Sequence, residues 1–196
     1  MQIDDGFRRY VAHLNLEAVA QSPDVVYFVD RNFVLRGFNG AWTRFALANQ
    51  GARTLRSYPV GCSILSAMSP EARTFYLRKY EQVLERREGF QHSYECSSPA
   101  VFRRFLLSAH PLPERRGLLI SNHLIEEHAH VREAMPLTSD YLSPLDIVVQ
   151  CCHCRRTHNQ AHKERWDWVP LLVQEPHPHT ASALCPECFD YFYQAS

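Results

Sequence analysis

The sequence predicts an α+β fold with a small cysteine-rich module towards its C-terminal end. Three observations carry that expectation. The first is the order of patterned segments: two β-rich runs, a helical middle, then three antiparallel β-rich runs. The second is a central helix with signals at both of its ends. The third is a doubled Cys-x-x-Cys pattern, in which Cys151 and Cys154 are followed, beyond residues 155–184, by Cys185 and Cys188.

Taken in order, residues 4–20 place Phe7, Val11, Leu14 and Ala18 at helical spacing with charges between, so 1–21 reads as an amphipathic helix. "SPD" breaks it. "VVYFVD" (25–30) and "FVLRGFN" (33–39) then read as a hairpin turning at Arg31 and Asn32. "GAWTRFALANQG" (40–51) is a short helix bounded by glycines. In "SPEARTFYLRKYEQVLERREG" (69–89), Ser69 is the N-cap, Pro70 opens the first turn, Glu71 lies near the positive dipole end and Gly89 is the stop. Ala72, Tyr76, Tyr80 and Val83 share one face of that helix. Three strands follow: "FQHSYEC" (90–96), "FRRFLLSAHPL" (102–112) and "GLLISNHLI" (117–125), with "PERRG" turning between the last two. Glu126, Glu127 and Glu133 are assigned to a charged helix leaving the sheet. Residues 128–143, Pro- and Ser-containing, read as a linker to a module over 144–196.

Composition excludes several functions. The chain has 196 residues, 45% of them hydrophobic and 21% charged, with Lys+Arg equal to Asp+Glu. A pI near 7.2 gives no footprint for non-specific nucleic-acid binding. No apolar run approaches the ~18 residues of a membrane span. The start has acids where a secretory signal is basic, so a cytoplasmic location is expected, and seven cysteines there are not a disulfide set. There is no phosphate-cradling Gly-rich loop, no G-x-S-x-G and no H-E-x-x-H, and the chain is not expected to be an enzyme.

The doubled cysteine pairs have the spacing of a closed tetrahedral thiolate site for structural zinc. Each pair sets two soft ligands on one tight turn, and in so short a segment binding energy is largely folding energy. Unrelated thiols or a redox centre are the alternatives. Haem attachment falls, because Arg155 and Phe189 stand where a His would have to follow the pair. Only Cys151 has the two-residue gap to Cys154, so Cys152 is expected to be a bystander. His153, His158, His162, His177 and His179 read as solvated loop residues between two short hairpins. Trp166, Trp168 and Val169 are the expected miniature core.

The segments "YFVDRNFVLRGFNGAWTRFA", "VGCSILSAMSPEARTFYLRKYEQVL" and "FRRFLLSAHPLP…GLLISNHLIEE" together resemble the PAS sensor family over residues 20–127. The tail, "VVQCCHCRRT…WDWVP…LCPECFDYFY", resembles a cysteine-rich element that ends bacterial sensory proteins. It matches at Cys151, Cys154, Arg155, Trp166, Trp168, Pro170, Cys185, Pro186 and Cys188. It departs at Ser182 and Ala183, where that element often has Ser-His-Gly. The resemblance implies a PAS-like five-stranded antiparallel sheet over 22–127 with flanking helices enclosing a pocket. What it implies for function is sensing of a small ligand or of redox state, passed on through contact with a protein partner.

Alternation in "FQHSYEC" puts Phe90, His92, Tyr94 and Cys96 on the expected pocket face, with Trp42, Phe45, Tyr76 and Tyr80 as walls. His110 shares a face with Ser108 on the next strand. All of these side chains can equally be core packing. Haem is the less favoured ligand: residues 61–89 contain no histidine, leaving His92 or His110 to ligate from a strand. Cys62 lacks the neighbours flavin photochemistry requires. Two further readings stand beside the sensor: a nucleic-acid-binding zinc ribbon using Arg155, Arg156, Lys163 and Arg165, and a redox switch that ejects zinc. The PAS resemblance and the apolar face of the first helix together imply a homodimer.

Overall fold

The computed structural model describes residues 1–49 and 51–193, without the side chains of 52–54. Residues 194–196, the end of the expected module, and Gln50 lie outside the described residues. The fold is α+β, with a PAS-like antiparallel sheet and flanking helices, and the chain forms two compact units. One comprises Met1–Met68, Tyr76–Ser93 and Phe105–Leu124; the other comprises Ser69–Phe75, Tyr94–Arg104 and the chain from Ile125 onward.

The N-terminal segment differs from the single helix expected. It is a short strand β1 (Gln2–Ile3) followed by two short helices, α1 (Arg8–Val11) and α2 (Leu16–Gln21). The break has a local cause. The Asn15 side chain accepts from Ala18 N–H at 3.0 Å and starts a new helix, because Asn competes for backbone donors and favours caps over helix interiors. Phe7 and Val11 are buried in a cluster with Ile3, Phe28 and Leu112, and Leu14 packs against it; Ala18 is exposed. The apolar face is therefore used within the chain.

Next come β2 (Val25–Asp30) and β3 (Leu35–Phe38), the expected hairpin, with Tyr27 opposite Phe38. The Asp30 carboxylate closes the turn by accepting from the backbone N–H groups of Asn32 and Val34, and Arg36 binds its second oxygen. Phe33 takes the left-handed position, at φ 59°. Helices α3 (Gly40–Ala48) and α4 (Ala52–Ser57) follow. The long helix α5 (Pro70–Arg86) is capped by Ser69, whose Oγ accepts from Ala72 N–H. It stops two residues earlier than Gly89 suggested: Arg87 adopts the left-handed conformation (φ 59°) and donates to Val83 O.

Strands β4 (Phe90–Glu95), β5 (Val101–Pro111) and β6 (Gly117–Ala129) complete a six-stranded sheet of order β1-β3-β2-β6-β5-β4. The sixth strand relative to the expected five is β1, paired antiparallel to β3. Gly117 is required where β5 turns into β6: its φ is 158°, and a Cβ there would lie 1.9 Å from Val29 O.

Glu126 and Glu127 are strand residues, not helical ones. They face Arg104 and Arg103 in cross-strand ion pairs that favour the extended form. Residues 128–143 are likewise no free linker. Met135 N–H bonds Trp168 O, and Tyr141 is buried with Val148, Val169 and Leu172.

The C-terminal segment carries β7 (Val148–Cys151), β8 (Thr157–His158), β9 (Trp166–Asp167), α6 (Pro170–Gln174), β10 (Thr180–Ala183) and α7 (Pro186–Tyr193). Its sheet has the order β10-β7-β8-β9, and β10 runs parallel to β7, with Ala183 beside Cys151. A hairpin plus a helix replaces the two hairpins expected. Pro186, suited to a first helical position, makes the second knuckle a helix start.

Candidate metal centre

The first knuckle is the β7–β8 turn. Cys151 ends its strand, its N–H bonds Arg156 O, and Arg155 sits left-handed at φ 62°. Cys185 precedes α7 and Cys188 lies in its first turn, with Phe189 N–H bonded to Cys185 O. The four sulfurs lie within 4.8 Å of one another, and all four residues are buried. Cys154 and Cys185 sulfurs are 3.8 Å apart. That is far beyond a disulfide bond of ~2.05 Å. It matches the edge of a tetrahedron with ~2.3 Å metal–sulfur bonds, about 3.8 Å. Cys152 stands apart from the set; its N–H bonds Ala183 O, and burial pushes its thiol up.

Every sulfur has a donor. Arg156 donates from Nε to Cys154 Sγ at 3.2 Å and from Nη2 to Cys185 Sγ at 3.3 Å, and its other face binds Glu187. Cys185 N–H points at Cys151 Sγ. His153 Nδ1 lies 3.2 Å from Cys188 Sγ, while its Nε2 accepts from Glu95 N–H at 3.0 Å. With Nε2 accepting, the ring proton sits on Nδ1 and donates to sulfur. Burial lowers the His153 pKa and keeps that neutral form. His153 is thus no solvated loop residue, and it supports a ligand rather than being one.

The thiols themselves are in conflict. Cys151 is pushed down by hydrogen bonds from Cys154, Cys185 and Cys188, whereas Cys188 is pushed up by its contact with Cys151. Four like groups so close cannot all ionise unless a cation joins them. The donor set fits a soft-ligand dication, and with four protein ligands no position is left open for substrate.

A half-buried ion pair flanks this centre. Arg132 binds both Glu95 carboxylate oxygens at 2.7 and 2.8 Å and donates to Cys154 O at 3.4 Å. It also lies over the rings of Phe102 and Trp168. Of the three residues proposed as the miniature core, Trp168 and Val169 are buried, and Trp166 packs against the cysteine cluster and on His158 at 5.0 Å.

The proposed pocket walls lie in an aromatic network. Trp42 packs on Tyr27 and Phe38, Phe45 on Phe105, and fully buried Tyr80 beside Phe33 and Tyr76. His92 lies against Phe90 and Tyr76. Tyr94, in the other unit, is half-buried, and His110 is exposed. Burial raises the Tyr27 pKa to about 12. A groove of about 370 Å³ opens elsewhere, lined by Asp4, Phe7, Tyr10, Asp30, Arg36 and Arg116. Sequence patterning gave no signal for it, since its lining gathers residues from the segment through α1, the β2–β3 hairpin and the turn before β6.

No family model matches the chain, and no curated protein matches it. Solved structures similar to it include PAS domains. The PAS domain of the RpfR quorum-sensing receptor of Cronobacter turicensis, in complex with C12:0, is 17% identical at a TM-score of 0.41. That match covers 55% of this chain and 99% of the other. The Photoactive Yellow Protein domain from the sensor histidine kinase Ppr of Rhodospirillum centenum is 13% identical at a TM-score of 0.40, covering 58% and 95%. A PAS domain from Colwellia psychrerythraea is 13% identical at 0.37, covering 56% and 92%.

Proposed function

We propose that this chain is a bacterial sensory protein of the cytoplasm. A PAS-like domain responds to a small ligand or to redox state and signals by protein contact, and a structural zinc ion is held by Cys151, Cys154, Cys185 and Cys188. The observation that carries the zinc assignment is the buried set of four sulfurs, each reached by an N–H donor, with Arg156 serving two of them. The sensory role rests on the sequence resemblance to PAS proteins. A closed thiolate site argues for a structural rather than a catalytic metal.

The alternatives gain less support. Arg155 bonds Gln150, Arg156 bonds Glu187 and Arg165 bonds Asp167, so three of the four basic side chains named for nucleic-acid contact are engaged. All four thiols are buried, which works against a fast redox switch. Haem ligation would have to draw His92 out of its ring contacts with Phe90 and Tyr76. A homodimer remains part of the proposal, formed by a surface other than Phe7 and Val11, which the chain itself covers.

Native mass spectrometry of freshly purified protein tests the reading, because it reports metal, co-purified ligand and oligomeric state together. One zinc per chain, lost when Cys185 and Cys188 are replaced, is expected. Metal retained in that double variant would sink the assignment.

A further inference from the structure

A second cluster of ligating side chains lies apart from the four cysteines. Asp146, His177 and His179 bring one ligand atom each within 4.8 Å of the others. His179 Nδ1 is 3.2 Å from Asp146 Oδ2, and His177 Nε2 is 3.6 Å from Asp146 Oδ1. An ion with ~2.1 Å bonds to imidazole nitrogen and carboxylate oxygen needs neighbouring ligands about 3.4 Å apart when tetrahedral. The two separations, one to each oxygen of Asp146, bracket that value.

The backbone holds the three residues in place. Asp146 occupies a left-handed position at φ 58°, which Asp tolerates, in a turn closed by its own N–H to Ser143 O. His179 O accepts from Val148 N–H, so the histidine loop is tied to the start of β7, two residues beyond Asp146. Thr180 Oγ1 donates to His177 O at 2.6 Å. Pro176 and Pro178 flank His177 and limit the freedom that ligation would have to remove. His177 is the inner group, with 22% side-chain exposure, while Asp146 and His179 are 61% and 63% exposed and leave a way in for an ion.

We propose that Asp146, His177 and His179 form a second metal site, for a borderline divalent transition ion such as zinc. Two imidazoles select such an ion over magnesium or calcium, which prefer all-oxygen sites. Three protein ligands leave a fourth position to water, so this site is open where the thiolate site is closed. His177 Nδ1 accepts from His179 N–H at 3.3 Å. Binding at Nε2 moves the ring proton to Nδ1 and gives up that long contact.

The test titrates the full chain with zinc and follows stoichiometry by native mass spectrometry. The wild type is expected to take up one equivalent more than a His177→Ala/His179→Ala variant, and a mild chelator should strip that equivalent first. Asp146→Asn, which keeps the side-chain volume, should weaken the same equivalent. The difference is read between variants, so it does not depend on what the cysteines hold. Equal stoichiometry in wild type and double variant, with the variant folded by circular dichroism, would overturn the proposal.

Discussion

Replacing His153 by Ala removes two hydrogen bonds at once, and their consequences separate. One is the acceptor for Glu95 N–H, the other the donor to Cys188 Sγ. An orphaned buried amide costs about 1–3 kcal/mol. The ring also packs edge-on against Phe192 at 4.8 Å, a contact worth about 0.5–1.5 kcal/mol. The expected destabilisation at saturating zinc is therefore about 1.5–4.5 kcal/mol. Loss of the sulfur's donor acts on the metal instead, lowering zinc affinity about 10–100-fold. Denaturation in excess zinc reads the first effect, and competition with a calibrated chelator reads the second. Two conservative variants divide them. Gln can place an acceptor near the Nε2 position and should recover stability; Asn can place a donor near Nδ1 and should recover affinity. An Ala variant with wild-type stability and wild-type zinc affinity would refute the bridging role.

Cys152→Ser should leave metal content unchanged, whereas Cys154→Ser should lose the metal and the cooperative melt of the C-terminal unit, both measured by elemental analysis and calorimetry. Gly117→Ala forces a Cβ against Val29 O and should cost about 3 kcal/mol or more in denaturant titration; a loss below 1 kcal/mol would show that the turn relaxes. Truncation after Glu133 discards the Arg132-flanking contacts and most of a unit that includes Tyr94–Arg104, so the shortened chain should melt at lower temperature than the full one. The Asp167 carboxyl, which burial alone would raise, is held below its usual value by hydrogen bonds from Asn159, Tyr141 and Arg165. A depressed folded value means its contribution is complete above pH ~3.9 and is lost as pH falls through the folded value. The stability gap between wild type and Asp167→Asn, at fixed zinc, should accordingly shrink below about pH 4.

Alternation and capping made much of the fold legible. The β2–β3 hairpin, the Ser69 cap and strands β4 to β6 follow from two-residue periodicity and turn residues, which are local properties of the chain. The misses are non-local or competitive. Glu126 and Glu127 look helical until Arg104 and Arg103 stand opposite them. Tyr141 looked like linker because its partners, Val148, Val169 and Leu172, come later in the chain. The apolar spacing over residues 4–20 runs straight through Asn15, whose side chain caps a second helix instead. At the cysteine cluster the spacing identified the sulfurs that converge, but the roles of His153 and Arg156 depend on what approaches from Glu95 and Glu187. A histidine placed inside a Cys-x-x-Cys turn was the available hint.

The parallel pairing of β7 with β10 sets the order in which the C-terminal unit can assemble. Parallel neighbours cannot be joined by a tight turn, so residues 152–179 must first be arranged as a ring joining the two strands. Cys151 and Cys154 share a short hairpin and can meet an ion early, as a half-filled pair. Cys185 and Cys188 reach it only when the ring closes, a step whose entropy grows with ring length and whose rate does not depend on how much metal is in solution. Uptake should consequently show two phases, a fast one proportional to zinc concentration and a slower one that zinc cannot accelerate. Shortening the exposed 161–165 segment would quicken only the second.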